Sequence, residues 1–146
     1  MAIWKQHADL DTVNAWSART LMQALGIRVT EIGDDFLTGT MPVDDRTRQP
    51  YGILHGGAAV ALAETLGSTA AMLCCEEGRA TVGLDINANH LRAVRGGTVT
   101  GTARPTHIGR STQVWEIRIE NETGELTCIA RLTMVVVPGG AFALRK

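Results

Sequence analysis

From Gly56 to Leu73 the chain is small and apolar almost throughout. Gly56, Gly57, Ala58, Ala59, Ala61, Ala63, Gly67, Ala70 and Ala71 surround Val60, Leu62, Leu66, Met72 and Leu73. Nothing in this run breaks a helix, and a helix apolar on all sides is normally enclosed by other structure. Its lack of bulk indicates what encloses it. Sheet backbone must approach closely, because a helix of large side chains would not fit inside a curled sheet. One carboxylate, Glu64, interrupts the run. An ionised carboxylate in an apolar interior is costly unless it is paired or used. Glu64, and His55 at the entrance to the same helix, are therefore the residues to be explained.

Around this helix the pattern is mostly that of strands. Asp11-Thr12 can cap a helix running to about Leu25, with Leu10, Val13, Ala18, Leu21, Met22 and Leu25 inward and Gly26 as its end. Two strands follow, about Ile27 to Ile32 and Phe36 to Val43, joined by Gly33-Asp34-Asp35. Asp44 to Gly52 reads as a polar loop. The long helix then spans roughly Gly56 to Cys75, and Glu76-Glu77-Gly78 closes it. Beyond it, Val82, Leu84, Ile86 and Ala88 alternate with polar residues, as do Val99, Gly101 and Ala103, then Trp115, Ile117 and Ile119, and finally Leu126 through Val136. Period two implies half-buried antiparallel strands. Asn121 to Gly124 suits a hairpin turn. The tail after Pro138-Gly139-Gly140 is expected to be loosely held. The fold class is α+β, a single domain over residues 1–146 with an antiparallel sheet around one long central helix.

Charge and cysteine content narrow the function. With 14 basic and 15 acidic residues the formal net charge is −1, which argues against a nucleic-acid-binding protein. Cys74, Cys75 and Cys128 are odd in number and lack metal-ligand spacing, so reduced, buried thiols and no metal site are expected. No basic region followed by an apolar run opens the chain, and Glu64 divides the only apolar stretch long enough to suggest a membrane. The expectation is a soluble, cytoplasmic protein without membrane or nucleic-acid partners.

The segment from Gln49 through Pro50, Tyr51 and Gly52 to His55-Gly56-Gly57, with Glu64 nine residues after His55, resembles the hotdog-fold acyl-CoA thioesterases, in particular their phenylacetate-type branch. Met41-Pro42-Val43, Val82 to His90 and Thr106 to Arg110 fit the same pattern, so the likeness covers nearly the whole chain. It implies a hotdog fold, hydrolysis of an aromatic or other bulky acyl-CoA, no cofactor (coenzyme A being part of the substrate), and a homodimer sharing two sites, often paired into a dimer of dimers. It also implies that Gln49 is a polar contact to the thioester. Val82, Gly83, His90, Arg92, Gly109, Arg110 and Ser111 fall in segments near the pantetheine and nucleotide.

The residues make part of this case themselves. Nine residues at about 1.5 Å rise put His55 and Glu64 roughly 13 Å apart along the axis, and nine steps of about 100° put them on nearly opposite faces. They cannot share a carbonyl within one subunit, whereas two antiparallel helices related by a two-fold axis can bring them together. The helix N-terminus offers unpaired N–H groups and a favourable dipole to developing negative charge. Gly56 and Gly57 leave room there, and the Gly56 N–H is the expected oxyanion donor. His55 would orient water or the acyl carbonyl. Glu64 is then nucleophile or general base. Ser68, one turn beyond it, shares its face. Gly109, Arg110 and Ser111 in a strand turn, and Arg92 near His90, are candidates for the phosphates. The same His and carboxylate would also suit a hydroxyacyl-thioester dehydratase, and a non-catalytic acyl-CoA-binding module is the third reading.

Overall fold

The structure, a computed structural model, describes residues 1–142 and 144. The N-terminal helical region is two short helices rather than one. α1 is Leu10–Ala15 and α2 is Leu21–Leu25. Asp9, not Asp11, caps α1 by accepting the Thr12 N–H at 2.8 Å. The break lies in Ser17 to Thr20. The Thr20 hydroxyl donates to the Ser17 carbonyl and accepts the Met22 N–H, and Arg19 has a φ of 60°. Such local side-chain bonds compete with helix propagation. Gly26 ends α2 in the left-handed conformation, as expected. Of the six inward positions expected here, only Val13 is buried. Met22 and Leu25 are half-buried, while Leu10, Ala18 and Leu21 are exposed.

Six strands follow in sequence around the long helix: β1 Arg28–Ile32, β2 Leu37–Pro42, then α3 Gly56–Leu73, β3 Arg79–His90, β4 Thr98–Ile108, β5 Thr112–Glu120 and β6 Leu126–Pro138. They form one antiparallel sheet in the order β1-β2-β4-β5-β6-β3, curled around α3. This is the hotdog arrangement. The apolar alternations face the helix as expected in β4, β5 and β6, where Val99, Ala103, Trp115, Ile117, Ile119, Cys128, Ala130, Leu132 and Met134 are buried. β3 departs from its expected pattern. A bulge between Gly83 and Asp85 leaves Leu84 without a partner, 66% exposed, and reverses the facing of the residues before it. Ile86 and Ala88 lie opposite Leu132 and Ala130 on the helix side. Val82 lies opposite Val135 on the outer side.

Close approach between sheet and helix is mutual. Gly39 on β2 and Gly101 on β4 leave notches filled by Leu66 of α3, since a β-carbon would come within 2.6 Å and 2.7 Å of its methyl groups. Gly67 of α3 does the same for Leu132 of β6, at 2.6 Å. The C-terminal end of α3 is tied off by the N-terminal segment, where the Lys5 and Gln6 N–H groups both donate to the Leu73 carbonyl. Trp4 stacks parallel to the fully buried Trp115 at 6.4 Å and donates to the Gly33 carbonyl. After β6, Gly139–Ala141 forms a 3₁₀ turn whose first N–H donates to the Gly78 carbonyl, so the start of the tail is held. Its last part, residues 143, 145 and 146, lies outside the described residues. No helix among the described residues is long and apolar enough to cross a membrane.

Leu66→Ala should lose about 2–5 kcal/mol of stability, because it empties a cavity that glycines cannot refill. Gly101→Val should lose about 1–3 kcal/mol through overpacking of the same notch. Urea unfolding of the two variants measures both.

Candidate active site

An accounting of N–H groups at the head of α3 locates the site. His55 caps the helix with extended backbone and takes three of the first four donors. Its Nδ1 accepts the Gly57 N–H at 2.8 Å, and its carbonyl accepts those of Ala58 and Ala59. The Gly56 N–H has no acceptor among the described residues. This leaves one unpaired donor at the positive end of a helix of about five turns. The loop before it is anchored by the His55 N–H on the Thr47 carbonyl and the Leu54 N–H on the Val94 carbonyl, each 2.7 Å. Gln49 lies in the same loop. Its Oε1 accepts the Tyr51 N–H, which fixes the amide and leaves its NH₂ as a donor.

Gln49 and Gly56 together line two recesses. One, of about 370 Å³, runs between α3 and the segment after β3. His90 and Arg92 line it as well, and the His90 ring lies against Gly56, whose β-carbon would stand 3.0 Å from Nε2. Its apolar lining comes from Ile53, Leu54, Ala59, Leu91, Val94 and Cys128. The other recess, of about 400 Å³, is an open shelf with Pro50, Tyr51 and His55. Leu91, Ala93, Val94 and Cys128 are the site residues that the sequence did not reveal. They reach Gly56 because β3 ends against the start of β6, His90 opposite Cys128.

Glu64 is not in either recess, and it is not buried within the chain. It is exposed, on a stripe of α3 with Gly57, Val60, Ala61, Ser68 and Met72 that the curled sheet leaves uncovered. The expectation of a carboxylate enclosed by its own fold is therefore corrected: the sheet encloses only one side of the helix. Ser68 does not bond Glu64. Its hydroxyl points at Met134 Sδ, 3.7 Å away.

The expected nucleotide-tail residues divide between places. Arg92 is paired with Glu125 at 3.0 Å. Hydrogen bonds from Asn121 and Thr123, and then the Arg92 charge, hold that carboxyl below its ordinary range. Gly109, Arg110 and Ser111 form the β4–β5 turn and line a recess of about 630 Å³ at the far end of α3, which Arg79, Glu77 and the paired Lys5 and Glu76 also line. The Gly109 N–H is not free for a phosphate, as the turn had suggested, because it donates to the Thr112 carbonyl at 2.8 Å. Arg110 and Ser111 are exposed. Val82 and Gly83 lie on β3, half-buried and exposed, and line none of these recesses.

Known proteins resemble this chain over most of its length. Residues 51–128 match the family model described as "Thioesterase superfamily". A "Proofreading thioesterase" of Cronobacter turicensis is 52% identical over 135 residues, 92% of this chain and 98% of that protein. A "1,4-dihydroxy-2-naphthoyl-CoA hydrolase" of Escherichia coli is 50% identical over 135 residues, 92% of this chain and 99% of the other. The crystal structure of a thioesterase from Haemophilus influenzae superposes with a TM-score of 0.92 at 51% identity, covering 93% of this chain and 95% of that one.

Burial sets the thiols apart from any chemistry here. It pushes Cys74 up to about 12, with Cys75 adding to the effect, and it also raises Cys75 and Cys128. A raised value keeps each thiol protonated at neutral pH, and only the thiolate is alkylated at a useful rate. Iodoacetamide should therefore leave all three unmodified in the folded protein and label all three in denaturant, read by intact mass.

Proposed function

The chain belongs to the thioesterase superfamily and is a thioester hydrolase, and from that premise we propose that it hydrolyses acyl-CoA thioesters with aromatic or otherwise bulky acyl groups in a site shared by two subunits. The observation that carries the reading is the unpaired Gly56 N–H in a recess that the Gln49 amide also lines. Two donors lining the same recess suit a carbonyl oxygen that becomes an oxyanion, and one such donor is worth about 3–4 kcal/mol of barrier. His55 holds the geometry by taking the neighbouring donors. Glu64 supplies the carboxylate, attacking the carbonyl carbon or removing a proton from the water that does. The C–S bond then breaks, and the thiolate leaves with its electron pair; where Glu64 is the nucleophile, water then hydrolyses the acyl–Glu64 anhydride, releasing the free acid and restoring the carboxylate. This chemistry calls on no resident cofactor.

The missing half-site argues for a homodimer. Glu64 stands about 12 Å along the axis from Gly56. Its stripe of small residues allows a second helix to pack closely. β3 is a twelve-residue edge strand with one side unpaired, which proteins seldom leave open. Antiparallel pairing of two β3 edges about a two-fold axis covers both features. It carries Glu64 of one chain towards Gly56 of the other, and brings the Arg110 recess within reach of the nucleotide end. A dimer of dimers is the further assembly proposed.

Proline tests the donor directly. Gly56 is the first helical residue, where proline is favoured, and His55 has φ −66° and ψ 130°, which a following proline accepts. Gly56→Pro removes the N–H and adds a ring beside His90. It should lower kcat by about 100- to 1000-fold. Gly56→Ala, which keeps the N–H but also crowds His90, should lose far less, and equal losses would refute the donor role.

The shared site is tested by mixing. Glu64→Ala and Gln49→Ala proteins, each nearly inactive, should regain up to about a quarter of wild-type acyl-CoA hydrolysis when unfolded and refolded together, because half of the dimers are then hybrids with one intact site. No recovery would place both residues in a single-chain site.

A further inference from the structure

The loop that carries Gln49 is held by a buried hydroxyl that takes no part in the chemistry. Thr47 is 1% exposed, and its own chain buries it, so a second subunit changes nothing there. A hydroxyl in such a place is costly unless it is bonded. The Thr47 Oγ1 donates to the Pro42 carbonyl at 2.8 Å and accepts the Asp44 N–H at 3.1 Å. The Thr47 N–H donates to the Asp44 carbonyl at 2.9 Å, and the Thr47 carbonyl accepts the His55 N–H at 2.7 Å. All but the last of these bonds reach back to the end of β2. The last reaches forward to the cap of α3.

The geometry points to Thr47 as a positioning residue that sets where the Gly56 N–H and the Gln49 amide stand relative to one another. This role rests on the donor reading above and extends it to what holds the donors in place. Gln49 follows Thr47 by two residues. Gly56 follows directly on His55, whose N–H Thr47 holds. Both donors are therefore placed from one residue.

That residue is in turn fixed to the sheet. Pro42 pairs with Thr98 of β4, and the next N–H, that of Val43, donates to the Gly97 carbonyl at 2.8 Å. Other bonds of the loop do different work. The Gln49 N–H donates to the Ile53 carbonyl and the Gly52 N–H to the Gln49 carbonyl, which sets the loop's shape but not its place. The Leu54 N–H and Arg48 Nε bind the Val94 and Arg95 carbonyls, in the irregular segment after β3 and not in the sheet. Removing the hydroxyl leaves the Asp44 N–H without an acceptor in a dry place, and the turn has to shift to let water reach it. Donors at a reacting carbonyl lose their effect when misplaced by about 0.5 Å or more.

Thr47→Val keeps the shape and removes the hydroxyl. With benzoyl-CoA as substrate, well below the melting temperature, it should lower kcat about 10- to 100-fold. KM should stay within about twofold, because the loss falls on the transition state. Thr47→Ser, which keeps the hydroxyl, should come within about threefold of the wild-type kcat. Thr47→Ala is smaller and also lacks the hydroxyl, so it carries the test if the valine variant does not fold. Asn14→Ala is the structural control. The Asn14 amide donates to the Val29 carbonyl and accepts the Val29 N–H, on the sheet edge opposite β3. That variant should melt at a lower temperature with kcat unchanged. In a Gly56→Pro background the donor is gone, and Thr47→Val should then cost less than about threefold, since residues acting as a unit are not additive. An undiminished loss in that background, a wild-type kcat in Thr47→Val, or a serine variant as slow as the valine one would overturn the role of Thr47 and leave the donor reading standing. Equal kcat in Gly56→Pro and Gly56→Ala would remove the donor reading, and the role of Thr47 with it.

Discussion

Leu66 seated in the notches of Gly39 and Gly101 is the contact on which the architecture turns. It sets how near α3 lies to the middle of the sheet, and Gly67 against Leu132 sets the same distance from the helix side. Sheet and helix each give up side-chain bulk where the other carries it. A close-packed interior transmits such spacing faithfully. The head of α3 is thereby fixed against the end of β3 and the start of β6, and the apolar recess beside Gly56 exists because those three elements cannot draw closer.

The same geometry divides the chemistry. Within one chain the sheet wraps α3 on one side only, so a helix that is apolar nearly all round keeps a bare stripe. Glu64 lies on that stripe, in water, where its charge costs little. The donor end, by contrast, is organised within the chain: His55 absorbs three N–H groups and leaves one. In the shared site proposed above, a polarising end completed within one chain meets a carboxylate offered by the other.

Much of this was legible in the sequence. Period-two alternation gave β4, β5 and β6 with their buried faces, and the small-residue run gave α3 to within two residues of its end. Gly26 marked the end of α2 because a left-handed residue there needs no side chain. Other features lay beyond it. The break at Ser17 to Thr20 depends on side-chain bonds that compete with a helix only weakly disfavoured by sequence. The bulge at Leu84 is invisible in an alternation that looks unbroken, so Val82 was placed on the wrong face. Burial of Glu64 was inferred from the composition of its helix, and composition does not say which side of a helix its own sheet will cover. Leu91, Val94 and Cys128 carried no local signal, since only the pairing of β3 with β6 brings them to Gly56.

The clasp of Lys5 and Gln6 on the Leu73 carbonyl has a consequence for how the molecule is made. Residues synthesised early are bonded across nearly half the chain, and Ile3 is likewise bonded to Asp34. Contacts of such long sequence separation form slowly, because the loop they close is large. On a ribosome Lys5 and Gln6 have no acceptor at Leu73 until the whole of α3 has emerged. The stacking of Trp4 on Trp115 waits longer still, so this arm is among the last pieces to dock.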